Sequence, residues 1–145
     1  MSQPEPDLRA ILEQTRTIAV LGAHWEPQRA ACYVPEYLAS VGYRVLPVNP
    51  IGAGRSGFGA PFVGSLAELT WAVDMVDVFR RAELLPAHEA EILAMTPRPA
   101  VVWLQLGIRN DAFADRLRTA GITVVQDRCT LAEHRRLGLP PHGRA

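Results

Sequence analysis

A single doubly wound α/β domain is the fold this sequence predicts: five mainly parallel strands in the order 3-2-1-4-5, with helices on both faces. Three observations carry that reading. Five short runs rich in β-branched and apolar residues alternate with helical patterns, as in successive βαβ units. The first run, TIAVLG at residues 17–22, ends in glycine, as a buried parallel strand does when it enters a tight nucleotide-binding turn. Right-handed crossovers between parallel strands then place helices on both faces. The 145 residues suit one domain spanning the chain, and 48% apolar residues are enough for a packed core. Residues 1–8 and 138–145 are expected to be flexible ends.

The elements follow in order. Strand β1 is read at Thr17–Gly22, then a helix from about Ala30 to Val41 with Gly42 as its C-cap. Strand β2 covers Tyr43–Asn49 and stops at Pro50. The next loop, IGAGRSGFGAPFVG, contains a G-x-G-x-x-G match at Gly52–Gly57. No helix opens behind it, so the dinucleotide context fails and a surface loop is expected. Ser65–Glu68 has the form of a capping box opening a short helix. Strand β3 is Asp74–Phe79, and a helix over about Leu84–Met95 ends before Pro97 and Pro99. Strand β4 is Ala100–Leu106. Asn110 caps a helix that runs to Ala120 and closes at Gly121. Strand β5 is Ile122–Gln126, and Thr130–Glu133 is a second capping box before the last helix.

Composition removes several functions. Formal net charge is zero, which argues against a nucleic-acid partner. No run approaches 18 apolar residues, so no membrane span is expected. The opening MSQPEPDLRA has no apolar stretch of the signal-peptide kind, which points to the cytoplasm, where Cys32 and Cys129 would be reduced. All 15 basic residues are arginine, so no lysine can serve as P-loop cation, Schiff base or general base. One or two histidines beside one cysteine fall short of a zinc set, so no metal site is expected.

In a doubly wound sheet, ligands bind beyond the carboxyl ends of the strands, where the strand order reverses. After β1 come Gly22, Ala23, His24 and Arg29, next to a helix N-terminus that can offer N–H groups to an anion. After β2 come Val48, Asn49 and Pro50. A dinucleotide site usually has an acidic residue there for the ribose, and this chain has none, which weighs against NAD. Two prolines around Val48-Asn49 would make a rigid apolar shelf able to hold an adenine. After β3 stand Phe79 and Arg80, and after β4 stand Gln105, Leu106 and Gly107. After β5 stands Cys129, the one candidate nucleophile, which reads more readily as a small buried apolar residue. Asp74 and Asp77 in β3 read as structural polar groups.

Taken in order, VLGAHWEP, GYRVLPVNP, VDMVDVFRR, VVWLQLGI and VVQDRCTLAEHRRL resemble the small stand-alone bacterial CoA-binding domain proteins over nearly the whole chain. More distantly, the chain is similar to the CoA-binding N-terminal domain of the succinyl-CoA synthetase alpha subunit. There, turns after β1, β2 and β4 contact CoA. The matching positions are Gly22 to His24, Val48 to Pro50 and Gln105 to Gly107. Leu106 stands where the synthetase has an acidic residue, and the domain carrying the phosphorylated histidine has no counterpart in these residues. The resemblance therefore implies binding of CoA or an acyl-CoA without ligase chemistry, with a protein partner for the loaded form left open. Two other functions stay open from the residues: a CoA-dependent acyl- or thiol-transfer enzyme using Cys129, and a protein for NAD or another adenine nucleotide.

Overall fold

In the computed structural model, which describes residues 5–142, one parallel sheet contains β1 (Thr17–Leu21), β2 (Arg44–Val48), β3 (Met75–Val78), β4 (Val101–Leu104) and β5 (Thr123–Val125). The α/β class and the five strands are as expected, but the strand order is not. The order is 2-1-3-4-5: β1 pairs with β2 on one side and with β3 on the other, in register from Ile18 with Met75 to Leu21 with Val78. The order 3-2-1-4-5 would have made β2 an interior strand. Pro47 lies in β2 and lacks the N–H that an interior strand must give to a second neighbour, so β2 belongs at the edge. Strand β3 is buried along its whole length and takes the central place.

Helices α1 (Leu8–Gln14), α2 (Ala30–Ser40) and α5 (Thr130–Arg136) cover one face; α3 (Glu89–Leu93) and α4 (Asp111–Thr119) cover the other. Alternation along the strands divides the core accordingly. Ile18, Val20 and Met75 pack with Leu12, Val34 and Leu38, whereas Ala19, Leu21 and Val76 pack with Ile92, Phe113 and Leu117. Helix α1 falls in a stretch given no element by the sequence reading; Asp7 caps it by accepting from the Ala10 N–H at 3.0 Å.

Local signals succeed where nothing buried competes with them. Asn110 caps α4, accepting from the Phe113 N–H at 3.1 Å. Ser65 instead donates to Glu68 Oε2, and only a 3₁₀ turn forms over Leu66–Glu68. The helix expected over Leu84–Met95 is a 3₁₀ segment at Ala82–His88 followed by α3; Pro86 lies within the first part. The Gly52–Gly57 match lies in a turn and a two-residue antiparallel ribbon, Ser56–Gly57 with Ala60–Pro61. The chain beyond that ribbon covers the edge of β2, where the Val63 N–H donates to Pro47 O at 3.1 Å. Residues 138–142, expected to fray, lie against the domain instead. The His142 N–H donates to Val41 O at 2.8 Å and its ring meets Tyr43 edge-on. Of the other expected flexible end, Asp7 caps α1 and Leu8 begins it, and residues 1–4 and 143–145 lie outside the described residues. Among the described residues no helix is long and apolar enough to cross a membrane.

Candidate functional site

The strand order reverses between β1 and β3, and the site is built on that seam. The chain leaves β1 through Gly22, at φ +89°, with its N–H on Val48 O at 2.9 Å. A Cβ at Gly22 would lie 2.8 Å from the Phe79 carbonyl oxygen, so the exits of β1 and β3 are pressed together. Only glycine meets both demands. The following loop is held by its own groups. His24 Nδ1 accepts from the Glu26 N–H at 3.0 Å, and its ring stacks on Trp25 at 4.2 Å between centroids. The backbone N–H of His24 donates to Ala31 O, which ties the loop to the first turn of α2.

That first turn is open. Its N-cap, Arg29, makes no side-chain capping bond, and the N–H groups of Ala30 and Ala31 have no hydrogen-bond acceptor among the described residues. Both residues line a cleft of about 670 Å³. The same cleft is lined by Gly22, His24 and Arg29 from the β1 exit, Phe79 and Arg80 from β3, and Gln105, Leu106 and Gly107 from β4. Arg29 is exposed and within 3.7 Å of Glu26; Arg80 Nε is enclosed and has no hydrogen-bond partner among the described residues. The cleft thus joins unpaired backbone donors and two guanidinium groups to an apolar wall of Phe79, Leu106 and Ile108.

Cys129 lines this cleft although it follows β5, at the far edge of the sheet. The loop before it folds back across β4. Arg128 donates its N–H to Leu104 O, and Trp103 Nε1 donates to Arg128 O at 2.8 Å. Asp127, at φ +56°, accepts the Gly107 N–H at 2.6 Å and pins the β4 turn to the same loop.

The β2 exit does not join the cleft. Ala23 and Val48 are buried in the core, and neither they nor Asn49 and Pro50 line it. Asn49 uses both ends of its amide for the turns: Nδ2 donates to Ala23 O at 2.9 Å, and Oδ1 accepts from the Ile51 N–H at 3.0 Å. It braces the β1 turn.

Beneath the cleft lies one of the two acids read from the sequence as structural polar groups of β3. Asp77, fully buried in β3, accepts from Gln105 Nε2 at 2.6 Å and from the Thr130 hydroxyl at 3.1 Å. Burial pushes its carboxyl up to about 7, and the two hydrogen bonds offset this only in part. Thr130 is therefore not a capping residue. Its hydroxyl is turned inward, and Cys129 takes the N-cap position of α5. The signal for Asp77 was present as one acid inside the apolar run MVDVF.

The chain is similar to known proteins over most of its length. Residues 16–135 match the family model described as CoA binding domain. Protein YneT of Bacillus subtilis is 35% identical over 128 residues, which cover 88% of this chain and 92% of the relative. Among solved structures, cell-free ID.343 from Thermus thermophilus superposes with a TM-score of 0.86 at 54% identity, covering 90% of this chain and 96% of that one. A hypothetical protein from Pyrococcus horikoshii OT3 superposes at 0.84 with 29% identity, covering 96% and 100%. With most of its length matched and its parallel sheet shared with these relatives, the chain belongs to the CoA binding domain family.

Proposed function

We propose that this protein binds coenzyme A or an acyl-CoA at the carboxyl ends of β1, β3 and β4 and performs no chemistry on it. The observation that carries the reading is the cleft at the sheet reversal, where the open first turn of α2 faces Arg80 across Gly22. A pyrophosphate suits that end, because backbone N–H groups and guanidinium forks both favour phosphate oxygens. The pantetheine arm suits the apolar wall of Phe79, Leu106 and Ile108, leading toward Cys129. The adenine would lie outside the cleft, toward Asn49 and Pro50, and the Asn49 amide, bonded to Ala23 O and the Ile51 N–H, would not read the base. Binding without turnover is supported at Cys129, whose thiol is hydrogen-bonded to no histidine or carboxylate among the described residues. Such a module would store or sense CoA, or present it to a protein partner. Both cysteines are free thiols, in keeping with the cytoplasm.

NAD is the ligand to discriminate against. The β2 end offers Asn49 where a ribose-binding acid would stand, and its amide is already occupied. Thermal unfolding with each ligand is the test. CoA at about 100 times its Kd should add about 2.7 kcal/mol, a rise in Tm of about 8 °C for a chain of this size. NAD at the same concentration should leave Tm unchanged. A shift with NAD and none with CoA would refute the proposal.

A further inference from the structure

Gln105 stands where the cleft meets the buried interior, 4% exposed and yet part of the cleft wall. Its Nε2 donates to Asp77 Oδ1 at 2.6 Å and to Thr130 Oγ1 at 2.8 Å, while the Thr130 hydroxyl donates to Asp77 Oδ2 at 3.1 Å. A primary amide has two N–H donors and one carbonyl acceptor. Both donors are therefore spent inward. The carbonyl Oε1 has no partner among the described residues and is not one of the enclosed unpartnered atoms, so it is left open on the cleft side.

The amide cannot turn over while Asp77 is a carboxylate. A flipped amide would set Oε1 against Asp77 Oδ1, acceptor against acceptor, in a buried site where unpaired polar groups are costly. Its neighbours in the chain also limit what Oε1 can meet. A carbonyl oxygen repels phosphate, which belongs at the Arg29 and Arg80 side, and Gln105 is flanked by Leu106 and faces the apolar wall. What fits is an uncharged ligand segment that carries a hydrogen-bond donor.

We propose that Gln105 is the specificity-determining residue for the arm of the ligand, its Oε1 accepting from an amide N–H of the pantetheine type, with Asp77 and Thr130 as the positioning residues that fix its direction. The proposal rests on the CoA reading above. An amide N–H is chosen over the terminal thiol because S–H is a weak donor. Neither Asp77 nor Thr130 lines the cleft, so their effect on the ligand must pass through Gln105.

The test is calorimetry at pH 8 on the wild type, Gln105→Leu and Asp77→Asn, each with CoA and with adenosine 3′,5′-bisphosphate, which lacks the arm. Gln105→Leu should weaken CoA about tenfold, the size of one neutral hydrogen bond, and leave the bisphosphate within about twofold. Asp77→Asn removes the bar to flipping and should weaken CoA severalfold, again with the bisphosphate unchanged. If Gln105→Leu fails to fold, Asp77→Asn, which keeps the volume and replaces one acceptor oxygen with an N–H donor, carries the test alone. Equal losses for both ligands, or undiminished CoA affinity in Asp77→Asn, would overturn the proposal while the CoA reading stands. Failure of the wild type to bind CoA overturns that reading, and this proposal with it.

Discussion

Replacing Gly22 with valine is expected to destabilise the protein by about 3 kcal/mol, lowering Tm by roughly 10 °C, and to abolish CoA binding. Two costs add. The backbone at Gly22 has φ +89°, which a β-branched residue adopts only under strain. The new Cβ would also lie 2.8 Å from the Phe79 carbonyl oxygen and 3.2 Å from Arg80 Cδ, and the first of these is backbone that cannot swing aside. Relief requires the exits of β1 and β3 to separate, which displaces Phe79 and Arg80 from the cleft they line. Alanine at the same position keeps the strained φ and the contact but lacks the branch, so it should fall between wild type and valine. Thermal unfolding and calorimetry measure both effects. A valine variant with unchanged Tm would show that the β1–β3 seam is not as close as described.

Asp77 should make stability fall as pH rises from about 4 to 7. Its carboxyl titrates near 7 when folded, against an ordinary value of 3.8, because burial disfavours the charged form. Across that window the folded protein keeps a proton that the unfolded chain has released, so stability is greatest at the acid end and is lost as pH approaches 7. Above 7 both states are ionised and this contribution stays flat. At about 1.4 kcal/mol per unit, the contribution from this one group spans about 4 kcal/mol. Asp77→Asn should remove the dependence. Urea unfolding at pH 5 and pH 8 should show the variant gaining on the wild type by about 3 kcal/mol at the higher pH, the part of the window that lies above pH 5. Taking the difference cancels the other titrating groups, and a difference independent of pH would contradict the assignment.

The parts that were legible in the sequence are those written locally. Strand positions follow from apolar runs bounded by Gly22, Gly42, Pro50 and Gly121, and the Asn110 cap from its own spacing. Strand order is not local, since 3-2-1-4-5 and 2-1-3-4-5 both satisfy right-handed crossovers. Pro47 was the residue able to decide between them, through its missing N–H. The candidate site divides in the same way. Gly22, Arg80 and Gln105 come together because each closely follows a strand that ends at the cleft, and Arg29 joins them as the N-cap of α2. Val48 and Asn49 follow a strand that proved to be the edge, and packing and turn bonds absorb them. Asp77 was legible as a structural polar group, but its partners were not, because Gln105 and Thr130 lie 28 and 53 residues away. The capping-box pattern at Thr130 gave way to a buried carboxylate with a stronger claim on the hydroxyl.

Mapping amide chemical shifts of the ¹⁵N-labelled protein during titration with CoA tests the central claim most directly. The N–H groups of Gly22, Ala30, Ala31 and Gly107 surround the cleft, and these should move first and furthest. A second hollow, of about 540 Å³, lies at the opposite end of the sheet beside Arg16, Arg44 and Trp71, and serves as the internal control. Shifts confined to that hollow, or no shifts at saturating CoA, would contradict a CoA site at the carboxyl ends of β1, β3 and β4.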